Sequence, residues 1–333
     1  MRIPVDHDLV EAVETLGPAL NGVRPKLSIP YLSGSQISTF ARCGQAYDYR
    51  YNDKKPESPA VPLLMGSAIH DAYENILEDI DAGPGIQDLR RQAAITRSLD
   101  DDLKKWDAYA CAQNDIALGF EANTANRWIK GPAHTRETLY SDAITAAETL
   151  AKHVERNAAQ GIRPAPAPGN VNTTPSERGY IIHWRDKNVL PLLCYVDAIF
   201  RRPNDRGSAL DLNDLKTGMR EKSFKDLSYA FVMAAYAFAV SVEYDEQVET
   251  ISYTSLTFKS PGKSAETPII AITDVVAPYE PSRIKRVHEY AKRLSTFKRL
   301  ETFTLCNDVT ICASCAYSRD CENDFGRIGL IAS

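Results

Sequence analysis

The chain has 333 residues, of which 44% are hydrophobic and 25% charged, and a net charge of −5. This is the composition of a globular protein with enough chain for one elaborated domain or two modest ones, and it lacks the overall basic balance of a nucleic-acid binder. Residues 201–300, however, hold 16 Lys and Arg against 13 Asp and Glu, which leaves room for a local basic face.

The opening MRIPVDHDLVEAVETLG lacks the basic-then-apolar order of a secretory signal. Residues 1–30 read as a loosely attached arm. In SGSQISTFARCGQAYDYRY, Ser33 or Ser35 is a candidate N-cap for a helix with Ile37, Phe40, Ala41 and Gly44 at helical spacing, followed by aromatic alternation at Tyr47, Tyr49 and Tyr51. Pro56, Pro59 and Pro62 mark a loop before LLMGSAIHDAYENILEDI, an amphipathic helix carrying His70. Residues 85–160 read as mostly helical, and GIRPAPAPGNVNTTPSE (161–177) is the clearest break. Beyond it GYIIHWRD, LPLLCYVDAIFRR and ALDLNDLKTG read as strands, with RPNDRGS as a turn cluster. The apolar helix 223–242 comes next, and its run Tyr229 to Val240 is too short to span a bilayer. Strands ETISYTSLTFK and TPIIAITDVVA and a helix over about 281–300 complete the order. That helix buries Ile284, Val287, Ala291 and Leu294 and turns Arg283, Lys285, Arg286, Lys292 and Arg293 outward.

Three strands, a helix and a strand predict an α/β fold, a mixed central sheet flanked by helices. The implied division is an arm (1–30), N-terminal helices (31–80), a helical insertion (81–165), a sheet core (166–300) and a C-terminal segment with closely spaced cysteines (301–333). With no export signal and no membrane span, the expected setting is the cytoplasm, where seven cysteines mean metal or catalysis more often than disulfides.

Two features carry chemistry. In ALDLNDLKTG, strand alternation puts Leu210, Leu212, Asp214 and Lys216 on one side, and Asp211 and Asn213 on the other. The preceding strand offers Asp197 inside an apolar run, where a carboxylate is costly without a cation. Two carboxylates on neighbouring strands beside a lysine suit Mg²⁺ or Mn²⁺ held by oxygen ligands, with the lysine orienting a water. A surface ion pair is the plainer alternative. The second feature is TICASCAYSRDC, in which Cys312, Cys315 and Cys321 form C-x2-C-x5-C. A sulfur site wants four ligands, and the fourth is either nearby Cys306, in a local zinc site, or a distant cysteine. Cys111 and Cys194 read as core thiols. SPGKS (Ser260 to Ser264) ends like a phosphate-binding loop, but Thr257 stands where its first glycine belongs, so it is rejected.

Asp197, sixteen intervening residues, then D-L-K followed by T-G resembles the core of the PD-(D/E)XK nuclease superfamily. GSAIH is similar to the G-x-x-x-H element of its branch containing the RecB and AddB nuclease domains and the Cas exonuclease of CRISPR adaptation. SQISTFARCGQAYDY resembles the segment carrying that branch's first cluster cysteine. The resemblance implies a restriction-endonuclease-like core and a metal-dependent DNA exonuclease. His70, Asp197, Asp214 and the Leu215 backbone carbonyl would hold Mg²⁺ or Mn²⁺, and Lys216 and Tyr236 would assist catalysis; Glu74, by its position one turn beyond His70, is a further candidate to support the metal. It also implies a structural 4Fe–4S cluster on Cys43, Cys312, Cys315 and Cys321, capping the core, with Cys306 a bystander. The expected partner is DNA, single-stranded or with a free end, in company with a helicase or a CRISPR-adaptation or recombination protein. Trimming DNA within such a complex, or binding it without cutting, are the alternatives; a relic would be expected to lose at least one of His70, Asp197, Asp214 and Lys216, and all are present. Gly44 stands where the branch often has proline, and Val232 where it usually has the glutamine of Q-x-x-x-Y. For DNA contact the candidates are Arg220, Lys222, Lys225, Lys292 and Arg293.

Overall fold

The computed structural model describes residues 8–18, 29–55, 61–78, 80, 93–101, 136–168, 176–218, 221–259, 269–300, and the single positions 303, 306, 311, 312, 315, 317, 320 and 321. Cys111, Arg220 and the SPGKS stretch fall outside these residues. In chain order the elements are β1 (Val10–Pro18), β2 (Leu32–Ser33), α1 (Gly34–Arg42), α2 (Gly44–Tyr51), α3 (Val61–Glu78), α4 (93–101), α5 (Arg136–Ala159) and β3 (Arg163–Pro164). There follow β4 (Ser176–Trp184), β5 (Leu192–Asn204), β6 (Gly207–Gly218), α6 (Phe224–Tyr229), α7 (Met233–Tyr244), β7 (Val248–Lys259), β8 (Ile269–Pro278) and α8 (Ile284–Leu300).

One mixed sheet runs β1-β4-β5-β6-β7-β8, with β2 and β3 also paired to β5. β4, β5 and β6 form an antiparallel meander, and the α6–α7 crossover returns the chain to β7, parallel to β6. The loosely attached arm is corrected in part: residues 10–18 form a strand antiparallel to β4, with Val10 buried. The aromatic alternation at Tyr47, Tyr49 and Tyr51 lies in helix α2. The expected helix 223–242 is two helices, interrupted at 230–232.

The sheet separates two apolar layers. On one side Leu192, Cys194, Val196, Ile199, Leu210 and Leu212 pack with α1, α7 and α8; on the other Ala198, Phe200, Leu215, Leu256 and Phe258 pack with α3, α4 and α5. The side-chain period of a strand is two, yet along β5 the first layer's residues run 192, 194, 196 and then 199. The alternation slips by one at Asp197. There the strand also changes partners: it pairs with β2 at Leu192 and Leu193, but with β6 only from Ala198 onward. The sheet is therefore open beside Asp197.

α1 starts at a capping box, with the Ser33 hydroxyl accepting the Gln36 N–H at 3.2 Å and the Gln36 side-chain oxygen, Oε1, accepting the Ser33 N–H at 2.9 Å. Cys43 then serves both helices: its N–H donates to the Thr39 carbonyl at 2.9 Å, and its Sγ accepts the Ala46 N–H at 3.4 Å at the start of α2. No helix among the described residues is long and apolar enough to cross a membrane.

Candidate active site and cysteine cluster

The pair Ala198↔Asn213 is where the β5–β6 ladder stops, and the next residues in that register are Asp197 and Asp214. The two carboxylates thus stand in the mouth of the fork. An Asp197 oxygen, Oδ2, accepts the Leu215 N–H at 2.9 Å and so bridges the opening. α3 lies across β6 at helical spacing. Gly66 packs so close to Thr217 that a Cβ there would be 2.9 Å from Oγ1, and the Tyr73 hydroxyl donates to Asn213 Oδ1 at 3.0 Å. Between them His70 brings Nδ1 to 3.5 Å from Asp197 Oδ2. The glycine of GSAIH is thus the device that lets the histidine helix approach the strand. Gly66→Ala should push His70 away from Asp197 and lower turnover at this site, by about 10²-fold if His70 moves by about an ångström. Thr217→Ala in the Gly66→Ala background should restore much of it, because it removes the atom the new methyl meets; equal losses in the single and double variants would refute this packing role.

Lys216 forms an ion pair with Asp214 and lies 5.7 Å from the Tyr253 ring centre. Burial raises the Asp214 carboxyl, Lys216 pulls it down, Asp197 pushes it up again, and the net direction is upward. Burial opposes the charge of Lys216, but Asp214 and Asp197 more than offset it, and its pKa is raised. Lys216 is consequently an ammonium at neutral pH: a donor and a positive charge rather than a base.

One residue of this neighbourhood has no counterpart in the sequence reading. Ligand atoms of His70, Asp197 and Glu177 all lie within 4.8 Å of one another. Glu177 sits near the start of β4, and finding it from sequence would have required the β4–β5 register. Glu74, one turn beyond His70, has its carboxyl raised to about 7, first by burial and then by Glu177, Glu78 and Asp71. Tyr236 stands against the start of α1, where a Cβ at Gly34 would be 2.2 Å from its hydroxyl and 2.7 Å from Val232 Cγ1.

The cysteines meet at the other end of α1, where Cys43 is its C-cap. Cys43, Ala46, Tyr49 and Tyr317 form a small buried cluster, with Cys306, Cys315 and Cys321 packed against it. The Cys312 Sγ lies 3.9 Å from the Cys306 carbonyl oxygen, and its thiol is raised by burial and by Cys306, Cys43 and Cys315. Cys321 is raised to about 11, chiefly by burial and then by Cys315 and Cys43. Five thiols from both ends of the chain therefore share one neighbourhood, Cys306 among them. Cys194 is fully buried in the first core layer, with its thiol raised by burial, as a core thiol should be.

Of the basic candidates on α8, Lys292 is paired with Asp186 at 3.1 Å, whereas Arg293 lies over the Tyr290 ring at 5.7 Å. Arg286 lies over both Phe231 (5.3 Å) and Tyr290 (6.0 Å), two rings stacked 4.9 Å apart. The Lys222 N–H donates to Ser255 Oγ at 3.1 Å, and Lys225 is exposed.

A fork of antiparallel strands bearing two carboxylates and a lysine, followed by a crossover to a parallel strand, fits a restriction-endonuclease-like fold. The family comparison agrees: the model of the PD-(D/E)XK nuclease superfamily matches residues 31–322, and the chain belongs to that superfamily. No curated protein matches it. Among solved structures it is similar to a crystal structure from Eubacterium rectale given as "Putative exonuclease". That likeness has 14% identity and a TM-score of 0.42 and covers 83% of this chain and 84% of the other.

Proposed function

We propose that the chain is a Mg²⁺- or Mn²⁺-dependent deoxyribonuclease that hydrolyses phosphodiester bonds at DNA ends or on single strands. The observation that carries this reading is the opening between β5 and β6, where Asp197, Asp214, Lys216 and His70 meet. Hard carboxylate oxygens and an imidazole fit either ion. His70, Asp197, Asp214 and the Leu215 carbonyl would hold it, and when bound it would activate a water and offset charge on the phosphate. Lys216, held protonated, orients the water and the scissile phosphate. Asp197 also ties the two strand ends together through the Leu215 N–H. Mn²⁺-dependent digestion of end-labelled DNA tests the reading; a chain inert on single- and double-stranded DNA would overturn it.

The same proposal includes a 4Fe–4S cluster on Cys43, Cys312, Cys315 and Cys321. The donor set fits: these thiols share one neighbourhood, and the Ala46 N–H already donates to the Cys43 sulfur. Such a cluster would fasten the two ends of the core and close a long loop. The purified protein should be brown, with absorbance near about 400 nm for thiolate-bound iron. Cys43→Ala should bleach it as fully as Cys315→Ala, while Cys306→Ala should not. Colourless protein carrying one zinc that is lost with Cys306 would replace the cluster by a local zinc site.

For the DNA path, stacking on Phe231 and Tyr290 pre-orients the guanidinium groups of Arg286 and Arg293, so they are better placed for phosphates than the ion-paired Lys292. α7 begins at the end of the sheet where β6 finishes, so Phe231 lies toward the Lys216 end. Glutamate at both arginines should weaken DNA binding and flatten its salt dependence by about two phosphate contacts, and glutamate at Lys292 should do less. Unaltered affinity and salt slope in the arginine variant would eliminate this surface.

A further inference from the structure

We infer that the substrate is single-stranded DNA and that one of its bases stacks on the exposed ring of Phe224, beside Lys216. This rests on the nuclease reading above and supplies the strand preference of the same site. Of the large apolar side chains exposed among the described residues, Phe224 is the aromatic one, at 57%. A lone apolar side chain on a surface is ordinary; the position of this ring is what gives it a role. Lys216 pairs with Ser255 in the β6–β7 register, and paired residues of adjacent strands share a face. The Ser255 hydroxyl accepts the Lys222 N–H at 3.1 Å, so the chain entering α6 runs beside Lys216. Phe224 follows two residues later.

Two anchors fix the backbone on either side of the ring. Lys222 is held on β7 by that hydrogen bond, and Leu227, one turn of α6 beyond Phe224, is fully buried in the first apolar layer. The ring between them stays at the surface. The charges around it match a nucleic-acid strand: Lys222 and the exposed Lys225 flank Phe224 in the chain, and Lys216 stands at the fork. Cations that follow a phosphate backbone, with an aromatic ring among them, suit a single strand, because every unpaired base offers a π-face to the ring. A base inside a duplex has both faces covered by its neighbours and cannot use Phe224. The arrangement therefore takes an unpaired strand, with the scissile phosphate at Lys216 and a nearby base on Phe224.

The test is Mn²⁺-dependent cleavage, by the full chain, of a single strand carrying fluorescent aminopurine bases, beside a blunt duplex of the same sequence. The wild-type chain should cut the single strand faster and quench the probe on binding. Phe224→Ala should lower kcat/KM on the single strand by about 10–100-fold, chiefly through KM, as the loss of one stacked base does. It should also abolish the quenching, leave the slower duplex rate unchanged, and unfold at the wild-type temperature because the ring is exposed. Phe224→Trp should retain both rate and quenching. Wild-type rate and quenching in Phe224→Ala, or equal losses on both substrates, would overturn the stacking role. Faster cutting of the duplex by the wild-type chain would overturn the strand preference. A wild-type chain inert on both substrates would overturn the inference together with the nuclease reading.

Discussion

Asp214→Ala is expected to reduce DNA hydrolysis to background while leaving DNA binding intact or tighter. The substitution removes a carboxylate from the mouth of the β5–β6 fork and releases Lys216 from its ion pair. A site that loses negative charge and keeps an ammonium attracts phosphate more strongly, yet it no longer has the ligand set for the chemistry. Lys216→Ala should differ in kind. In the proposed site His70, Asp197 and Asp214 all remain to hold the metal, so Mn²⁺ affinity should change little, but turnover should fall by about 10²–10⁴-fold, the usual contribution of a positioned proton-bearing group. Lys216→Arg should not restore it, because the planar guanidinium cannot reproduce an ammonium's placement against Asp214. Digestion by Asp214→Ala at the wild-type rate, with contaminating nucleases excluded, would put the metal site elsewhere.

The second large effect concerns stability. Asn213 is buried under α3, accepts the Tyr73 hydroxyl at 3.0 Å and donates to Ser252 Oγ at 2.9 Å and Thr254 Oγ1 at 3.0 Å. Ser252 passes the network to Asp211, and Thr254 to Asp274. Asn213→Leu keeps the branched shape but removes all three bonds and the acceptor of a buried phenol. With each uncompensated group costing roughly 1–3 kcal/mol, the loss should be about 3–5 kcal/mol. Adding Tyr73→Phe to Asn213→Leu should recover part of it, since removing both partners costs less than removing one. Denaturant unfolding of the two single variants and the double variant checks this. Additive losses would mean that the Tyr73–Asn213 bond contributes nothing of its own.

Much of the sheet was legible because alternation and turn residues act locally. The strand boundaries around Asp197 and Asp214, and the separation of Leu210 and Leu212 from Asp211 and Asn213, follow from a period of two. The placement of His70 against Asp197 came from the resemblance, since nothing in the residues around His70 says which strand its helix will cross. β1 was missed because a strand at the end of the β1-to-β8 order gains its stability from its β4 partner rather than from its own pattern. Glu177 was missed for a related reason. A single glutamate at a strand start is unremarkable until the β4–β5 register sets it opposite Asp197. The fork itself left no sequence trace, because it arises where β5 exchanges β2 for β6. Cys306 shows the converse: proximity in sequence and in space both put it among the thiols, and only the family resemblance sets it aside.

The most direct measurement is digestion of end-labelled single- and double-stranded DNA by the purified wild-type chain in Mn²⁺, beside the same reaction in EDTA and with Asp214→Ala. The account predicts cleavage proceeding from DNA ends or along single strands in Mn²⁺ alone, and none in EDTA or with the variant. Cleavage that persists in EDTA, or that Asp214→Ala carries out at the wild-type rate, would contradict it.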